Sequence, residues 1–354
     1  MRSPYEGLPP EAFWRSGVVG QSPEAIHGLY RRKFPITRSA QIATAGSCFA
    51  QHIAKHLRAR KFTVIDAEPA PRGLDEKSAA EFGYGLYSAR YANIYTARQL
   101  RQLAEEACGL FTPADRIWEK DGRFYDAMRP SVEPKGLSSP EAVLDHREYH
   151  LQQVLRVIRS ADIFIFTLGL TETWMHQPSG TTYPTAPGTI AGHYDPAVHR
   201  FHNFGFREVY DDLSGFFELA MKENPKIRFL LTVSPVPLVA TASGEHVLSA
   251  TTYSKTVLRA VAGQLSQERR NVDYFPSYEI ITSSLSKAKF FEENLRSVRA
   301  DGVEAAMSAF FAEHGDQQAQ DLEAPRPRKS KAKEKASSDA DVVCEEILLD
   351  AFAQ

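Results

Sequence analysis

The sequence predicts an α/β fold with a mostly parallel five-stranded sheet and helices on both of its faces. Two alternating patterns support this prediction, namely short apolar runs rich in β-forming residues and longer segments with apolar residues at helical spacing. Parallel strands need a crossover between them, so strand and helix in alternation indicate a wound sheet. The predicted strands are residues 41–45, 62–65, 162–168, 227–233 and 272–275.

The segments between these strands predict the helical layers of the fold. The predicted helices are residues 49–60, 97–107, 140–159, 206–223, 254–268 and 302–314. Two long stretches, residues 69–95 and 174–201, lack clear periodicity and are rich in glycine, proline and aromatic residues. Loops of this length in a compact domain usually carry function, so we expect both stretches near a functional site.

Composition and charge narrow the classes of protein and partner. The chain is 43% hydrophobic and 24% charged, which is enough apolar mass for one large core or two modest ones, and one domain with insertions is the preferred prediction. The formal net charge of -2 gives no overall attraction to nucleic acid or to an anionic membrane, so neither partner is expected. The three cysteines lie far apart without a CxxC pair, so no disulfide framework or metal site is predicted, and no cofactor is implied.

The two ends of the sequence give predictions about location and organisation. Residues 1–14 contain no apolar run like that of a signal peptide, and no segment approaches membrane-spanning length, which predicts a cytoplasmic protein. We predict one domain over residues 1–316, a disordered basic linker over 317–338 and a short amphipathic helix over 339–354. This helix is expected to dock to a protein partner, and an inert tail with a frayed helix is the alternative.

The motif Gly46-Ser47-Cys48-Phe49-Ala50 lies directly after the first predicted strand and directly before a predicted helix. This position puts the Ser47 hydroxyl at the carboxyl edge of the sheet, where a nucleophile suits the geometry. The helix N-terminus favours negative charge on an attacked carbonyl oxygen, and the backbone at Ser47 and Cys48 is the first candidate to donate to it. The alternative is that Ser47 only caps the following helix.

This motif resembles the hallmark of the GSCFA-domain family, which belongs with the SGNH (GDSL-like) hydrolases and esterases. The resemblance extends from about Pro4 to His314 and implies a flavodoxin-like three-layer α/β/α sandwich with Ser47 as the nucleophile. The other stretches that look like the family are Asn93-Ile94-Tyr95-Thr96, Leu168-Gly169-Leu170-Thr171-Glu172-Thr173-Trp174, Val233-Ser234-Pro235-Val236-Pro237-Leu238 and Tyr274-Phe275-Pro276-Ser277-Tyr278-Glu279.

The resemblance also implies oxyanion donors. Gly169 and Thr171 stand where the superfamily has a Gly-x-Asn-Asp turn, and Asn93 is the vaguer match to its glycine block; a turn-forming asparagine is the alternative there. Because a hydroxyl donates one hydrogen bond and an amide two, Thr171 is expected to stabilise an oxyanion less well than asparagine. Glu172 either polarises a base, grips a substrate hydroxyl or caps the segment after Leu170, and Trp174 is expected to wall the pocket.

The sequence departs from the SGNH pattern at the general base. Where those enzymes carry Asp-x-x-His, this chain reads Asn294-Leu295-Arg296-Ser297. A serine without a base is a poor nucleophile, so another residue is needed. His246 is the first candidate and His202 the second, with an ordinary loop histidine as the alternative for each.

Two cations complete the candidate site. Lys255 is expected to reach substrate, although its neighbour Ser254 is expected to point elsewhere because adjacent helical residues diverge. Arg296 is expected to hold a carboxylate or phosphate, and a surface salt bridge is the alternative for both cations.

Three functions are compatible with this pattern. The first is an esterase or O-acyltransferase acting on an acylated carbohydrate or related ester, with Ser47 as nucleophile. The second is an enzyme in which Ser47 and Glu172 only position substrate. The third is a non-catalytic module that binds a carbohydrate or other ligand, or docks to a partner, and has lost the Asp-x-x-His base.

Overall fold

The computed structural model describes residues 3–315 together with residues 348, 349 and 351. The described chain forms two compact units, the first made of Arg38–Tyr274 and the second of residues 3–37 with residues 275–315. The domain predicted over residues 1–316 therefore spans both units. The predicted linker, and the predicted terminal helix apart from residues 348, 349 and 351, lie outside the described residues.

The strands and helices follow in chain order. The strands are β1 (Ile42–Gly46), β2 (Ile117–Lys120), β3 (Arg123–Asp126), β4 (Ile163–Leu168), β5 (Glu172–His176), β6 (Thr181–Tyr183), β7 (His199–Asn203), β8 (Arg228–Val233) and β9 (Val272–Phe275). The α-helices are α1 (Phe49–Ala59), α2 (Glu76–Glu81), α3 (Ala97–Ala107), α4 (Pro140–Ser160), α5 (Phe206–Glu223), α6 (Val247–Glu268), α7 (Ser277–Thr282) and α8 (Ala300–His314). None of these helices is long and apolar enough to cross a membrane.

The main sheet has the strand order β1-β4-β8-β9, with β4 paired in parallel to both β1 and β8. The predicted strand at residues 62–65 is not a strand, because this segment makes only one parallel bridge, from Val64 to Ile42. The bridge consists of the Ile42 amide donating to the carbonyl of Thr63 at 2.9 Å and the Ile65 amide donating to the carbonyl of Ile42 at 2.8 Å. If the bridged segment at Val64 is counted as a strand, it lies outside β1, and the five segments numbered in the order of the chain have the order 2-1-3-4-5 across the sheet. This is a doubly wound order.

The core of the first unit follows from the apolar strands. Every residue of β1 and β4 is buried, as expected for strands that are covered on both faces. Phe164 of β4 and Phe229 of β8 are neighbours in register, and Phe216 of α5 contacts both rings at centroid distances of 5.2 and 5.9 Å. These aromatic contacts fix α5 against the sheet near the amino-terminal ends of β4 and β8.

A second sheet occupies the stretch that the sequence predicted as a long loop over residues 174–201. In this sheet β5 lies between β6 and β7, and both pairings are antiparallel. Trp174 is paired with Tyr183 on one side and with Phe201 on the other. The prediction of a loop was wrong because the strands are short and largely polar, so their alternation is hidden in the sequence.

The second unit contains α7, α8 and the loop that carries the altered block. The hydroxyl of Tyr30 hydrogen bonds to Nε2 of His314 at 2.8 Å, and Phe310 packs edge to face on Phe275. In the loop before α8, Asn294 Oδ1 accepts the amides of Arg296 and Ser297 at 3.0 and 2.9 Å. Asn294 thus organises a local turn at the start of the block Asn294-Leu295-Arg296-Ser297.

Candidate functional site

The turn at Gly46 places Ser47 at the carboxyl end of β1. Gly46 has φ +136°, and a Cβ there would lie 2.4 Å from the carbonyl oxygen of Thr167 on the neighbouring strand. Only glycine fits this close approach. The amide of Ser47 then donates to the same Thr167 carbonyl at 3.1 Å, which extends the parallel ladder up to the serine.

The Ser47 hydroxyl is buried and uncommitted. The residue is 3% exposed, and Oγ has no hydrogen-bond partner among the described residues. The alternative that Ser47 caps α1 is wrong, because the helix begins at Phe49, Cys48 is the cap residue and no side chain caps this end. A buried hydroxyl without a partner carries a desolvation cost, which a hydrogen bond to a bound ligand would offset.

The turn between β4 and β5 lies against the serine, as the sequence predicted from the shared sheet edge. A Cβ on Gly169 would lie 2.8 Å from Cβ of Ser47, so the absence of a side chain is what allows this contact. The amides of Gly169 and Leu170 both donate to the carbonyl of Tyr95, at 3.2 and 2.9 Å. In this arrangement the Gly169 amide is already used, although the resemblance implies it as an oxyanion donor.

The segment Asn93-Ile94-Tyr95-Thr96 hydrogen bonds to both the turn at Gly46 and the turn at Gly169. The amide of Ile94 donates to the carbonyl of Gly46 at 2.9 Å, while the carbonyl of Tyr95 accepts from the Gly169 turn. Asn93 is 2% exposed, and its Oδ1 accepts hydrogen bonds from Gln51 and Tyr87. Asn93 is therefore a fixed component of the site and not a simple turn residue.

Helix α6 holds the β4–β5 turn at two points. Lys255, which is 1% exposed, donates from Nζ to the carbonyl of Gly169 at 2.7 Å. Ser254 Oγ accepts the amide of Thr171 at 2.9 Å. The side chains of Ser254 and Lys255 were expected to point apart. Both reach the same turn because Lys255 binds the carbonyl of Gly169 and Ser254 binds the amide of Thr171, two residues further on.

Thr171 and Glu172 follow Gly169 along the chain, at the start of β5. The hydroxyl of Thr171 donates its one proton to Asn203 Oδ1 at 2.6 Å, so it is not placed to donate to an oxyanion in this arrangement. Glu172 is 9% exposed and accepts a hydrogen bond from the Thr241 hydroxyl at 2.8 Å. Burial raises the pKa of Glu172, and the Thr241 bond partly opposes that shift.

An aromatic group adjoins Glu172 on the second sheet. Glu172 and Trp174 lie on the same face of β5 because they are two residues apart. The Trp174 ring contacts Tyr194 and Phe201 edge to face, at centroid distances of 5.2 and 6.0 Å. The sequence predicted Trp174 as a wall of the pocket, and the structure gives it two aromatic neighbours that the sequence did not identify.

The two candidate histidine bases are engaged elsewhere. His246 is exposed and caps α6, with Nδ1 accepting the amide of Leu248 at 3.1 Å. This bond leaves the proton of a neutral ring on Nε2, so His246 has no spare basic nitrogen in this arrangement. His202 bonds through Nε2 to Glu208 at 2.8 Å. Neither ring hydrogen bonds to Ser47 Oγ.

A comparison with protein-family models matches residues 41–310 to the GSCFA family. The chain belongs to the GSCFA family. The matched range contains the whole candidate site from Ser47 to Glu172, as well as Lys255 and, in the second unit, Arg296. A comparison with curated proteins gave no match, so the family membership brings no named reaction with it.

The GSCFA protein also has a buried acid–histidine pair that the sequence did not reveal. Nδ1 of His150 hydrogen bonds to Glu68 Oε2 at 2.7 Å, and both side chains are buried. Burial, together with the nearby Arg129, lowers the pKa of His150 to about 4, against the attraction of Glu68. His150 is therefore neutral at pH 7, and its Nε2 is buried without a partner among the described residues.

The His150–Glu68 pair adjoins a small cavity and several charged groups. His150 and Asn93 both line a cavity of about 30 Å³, which has room for one or two water molecules. Burial opposes ionisation of Glu68, but His150, Arg129 and the amide of Arg90 together lower its pKa to about 2. Within residues 3–315 no group of three acidic, histidine or cysteine side chains could hold a metal ion.

Proposed function

We propose that this GSCFA protein is an SGNH-like ester hydrolase or O-acyltransferase that acts on an acylated carbohydrate or related ester. The observation that carries the proposal is the Ser47 hydroxyl, buried and without a partner among the described residues at the carboxyl edge of the sheet. Ligands of doubly wound sheets bind at this edge. The strand order, the Gly46 turn and the contact with Gly169 are consistent with a three-layer sandwich of the SGNH type.

In the proposed reaction Ser47 Oγ attacks the carbonyl carbon of the ester. The new carbon–oxygen bond forms as the carbonyl electron pair moves onto oxygen, and the serine proton passes to Glu172, directly or through one water. Collapse of the oxyanion expels the alkoxide, which takes the proton back from Glu172. Water or an acceptor hydroxyl then attacks the acyl-serine and repeats the sequence.

Glu172 is proposed as the base because its environment suits that role better than the environments of the two histidines. It follows the Gly169 turn by three residues, and burial raises the pKa of its carboxyl. A base is most effective when its pKa lies near the working pH. A carboxylate with a raised pKa accepts a proton more readily than an exposed glutamate does.

A non-catalytic binding module is the second candidate function. It is favoured by the hydrogen bonds that occupy the Gly169 amide and the Thr171 hydroxyl, because these leave the two implied oxyanion donors engaged. In that case Ser47 and Glu172 would bind a carbohydrate or another ligand without forming a covalent bond.

Hydrolysis of p-nitrophenyl acetate and of an acetylated monosaccharide distinguishes the two functions. We expect turnover by the wild type, none by Ser47→Ala, and a kcat reduced by roughly 10²- to 10⁴-fold in Glu172→Gln, the usual effect of removing a general base. The exposed Ser249 on α6 supplies the matched control, Ser249→Ala. Activity that survives in Ser47→Ala, or no turnover by the wild type, would contradict the enzyme proposal.

The pH dependence of this turnover tests the base separately. Glu172 must be ionised to accept the proton, so kcat falls as the pH drops through its pKa. Because burial raises that pKa, the fall begins at a higher pH than for an ordinary glutamate. A kcat that stays constant down to pH 4 would exclude Glu172 as the base.

A further inference from the structure

One face of the three-stranded sheet β6-β5-β7 carries polar and aromatic side chains next to Glu172. Directly opposite residues of antiparallel strands have their side chains on the same face. The register pairs Glu172 with Asn203 and Trp174 with Phe201, and Glu172 and Trp174 lie two residues apart on β5. These four side chains therefore share one face, which we call the β5–β7 face. A ligand bound there would meet a carboxyl, an amide and aromatic rings.

The polar end of the β5–β7 face offers one hydrogen-bond acceptor and one donor. Glu172 accepts from the Thr241 hydroxyl through Oε1, and no described residue bonds to its Oε2. Asn203 accepts from the Thr171 hydroxyl through Oδ1 at 2.6 Å, which leaves its NH2 group without a partner in the described part of the chain. Asn203 is half-buried, so this group is within reach of a ligand. An alcohol hydroxyl both donates and accepts, and it would satisfy the two groups together.

The aromatic end of the β5–β7 face is partly open to solvent. The Trp174 ring meets Phe201 and Tyr194 at interplanar angles of 71° and 80°. Trp174 and Phe201 are half-buried, and Tyr194 is 40% exposed. The face of an aromatic ring is electronegative, so it attracts the weakly positive C–H groups on the apolar side of a sugar ring. A carbohydrate combines such C–H groups with the hydroxyls that the polar end requires.

The Asn203 amide distinguishes a sugar from the other ligand that this combination of groups attracts. Aromatic rings beside a carboxylate also bind quaternary ammonium cations. Such a cation has no lone pair, so it would leave the Asn203 NH2 group without an acceptor and would hold the positive end of that amide against a positive charge. A sugar hydroxyl accepts from the same group, and the face therefore favours a neutral polyol.

We propose that the β5–β7 face is a subsite for a sugar ring of the substrate, in which the ring packs on Trp174 and Tyr194 and one sugar oxygen binds between Asn203 Nδ2 and Glu172 Oε2. The inference rests on the proposed esterase function, in which this oxygen is the leaving alkoxide that takes the proton back from Glu172. Asn203 donates to the departing oxygen, and a hydrogen bond to a charged group is roughly twice as strong as a neutral one. The released sugar keeps both contacts, because its hydroxyl donates to Glu172 and accepts from Asn203.

Binding of unesterified sugars tests the subsite without any turnover. The probes are the methyl pyranosides of glucose, galactose, mannose and xylose, and isothermal titration calorimetry measures the Kd of each. We expect the wild type to bind at least one of them. Asn203→Ala and Tyr194→Ala are each expected to weaken that binding about fivefold or more, the effect of losing one hydrogen bond or one ring contact.

Two matched substitutions control for general effects on the protein. Asn271 is half-buried like Asn203, but its amide bonds to Met221 Sδ, so Asn271→Ala leaves the β5–β7 face unchanged. Tyr149 is 52% exposed on α4, and Tyr149→Ala is the control for Tyr194→Ala. Both controls are expected to bind the sugar within about twofold of the wild type. Because Tyr194 is exposed, its variant is expected to fold, and circular dichroism checks this.

The outcomes separate the subsite from the esterase. The subsite would be overturned by no binding of any of the four sugars, by equal binding in Asn203→Ala and the wild type, or by binding of choline in place of sugar. Each of these results leaves the esterase proposal intact if Ser47-dependent turnover of p-nitrophenyl acetate persists. Sugar binding that depends on Asn203 and Tyr194, in a protein without turnover, would support the subsite and contradict the esterase.

Discussion

Two glycines determine where Ser47 lies. Gly46 allows the chain to turn beside Thr167, and Gly169 allows the next turn to touch the Ser47 side chain. Both contacts are too close for any residue with a Cβ unless the backbone shifts. The position of Ser47 is thus set by the absence of side chains at two neighbouring strand ends.

Gly169→Ala is the most direct perturbation of this arrangement. The added methyl group would lie 2.8 Å from Ser47 Cβ and 3.1 Å from the Tyr95 carbonyl oxygen, so one of these groups must move. We expect Ser47-dependent esterase turnover to be lost and the free energy of unfolding to fall by about 1–3 kcal/mol, as for other overpacked sites. Enzyme assay and urea denaturation measure the two effects.

Gly205→Ala is the control for this substitution. A Cβ at Gly205 meets no atom closer than 3.8 Å, so only small changes are expected. Full turnover in Gly169→Ala would show that the close contact with Ser47 does not matter for function.

The sequence drew attention to Ser47 by its place after an apolar strand together with the family resemblance, and to Gly169 and Glu172 by the resemblance of the segment that follows the next buried strand. It missed Gln51, Tyr87 and Ser254, whose roles depend on contacts between segments far apart in the chain. Tyr87 lies 40 residues from Ser47, and Ser254 lies 83 residues from Thr171. No local sequence pattern predicts such pairs, because the sequence alone does not show whether a serine, tyrosine or glutamine side chain is buried or exposed.

At the scale of elements, the strands and helices with strong local signals were predicted well. The bounds predicted for α3 and α5 coincide with Ala97–Ala107 and Phe206–Glu223, and β9 coincides with Val272–Phe275. Helix α6 begins seven residues before its predicted start, at Val247 and not at Ser254, because His246 caps it. Histidine is not among the usual capping residues, so no residue pattern marks that start.

The contact between α6 and the β4–β5 turn leads to a stability prediction. Ser254→Ala removes the acceptor of the buried Thr171 amide, and an unsatisfied buried amide costs about 1–3 kcal/mol. We expect the free energy of unfolding in urea to fall by that amount. Ser249→Ala, at an exposed position of the same helix, is expected to change it by less than about 0.5 kcal/mol. Equal effects of the two substitutions would argue against a stabilising role for the Ser254 bond.

At the scale of the molecule, two buried histidines make stability depend on pH. Burial is the largest cause that lowers the pKa to about 4 for His150 in the first unit and for His314 in the second. In an unfolded chain the pKa of histidine is about 6.5. Between these values the unfolded state binds protons that the folded state does not, so the contribution of the two histidines to stability falls as the pH drops from about 7 toward 4 and levels off below that.

Denaturation at pH 7 and pH 5 measures this dependence. Each buried histidine is expected to account for a loss of roughly 1–2 kcal/mol over that interval. His150→Gln should make the loss smaller, whereas His27→Gln, at an exposed position, should leave it unchanged. If His150→Gln loses as much stability as the wild type between the two pH values, His150 is not neutral in the folded protein.

If Ser47 is an activated nucleophile, as proposed, it reacts covalently with a fluorophosphonate. In this reaction the serine oxygen bonds to phosphorus, fluoride leaves and the hydroxyl proton is released, so intact mass reveals the adduct. We expect one adduct on the wild type and none on Ser47→Ala. No adduct on the wild type, or an adduct that remains in Ser47→Ala, would contradict the claim and leave ligand binding as the function of the site.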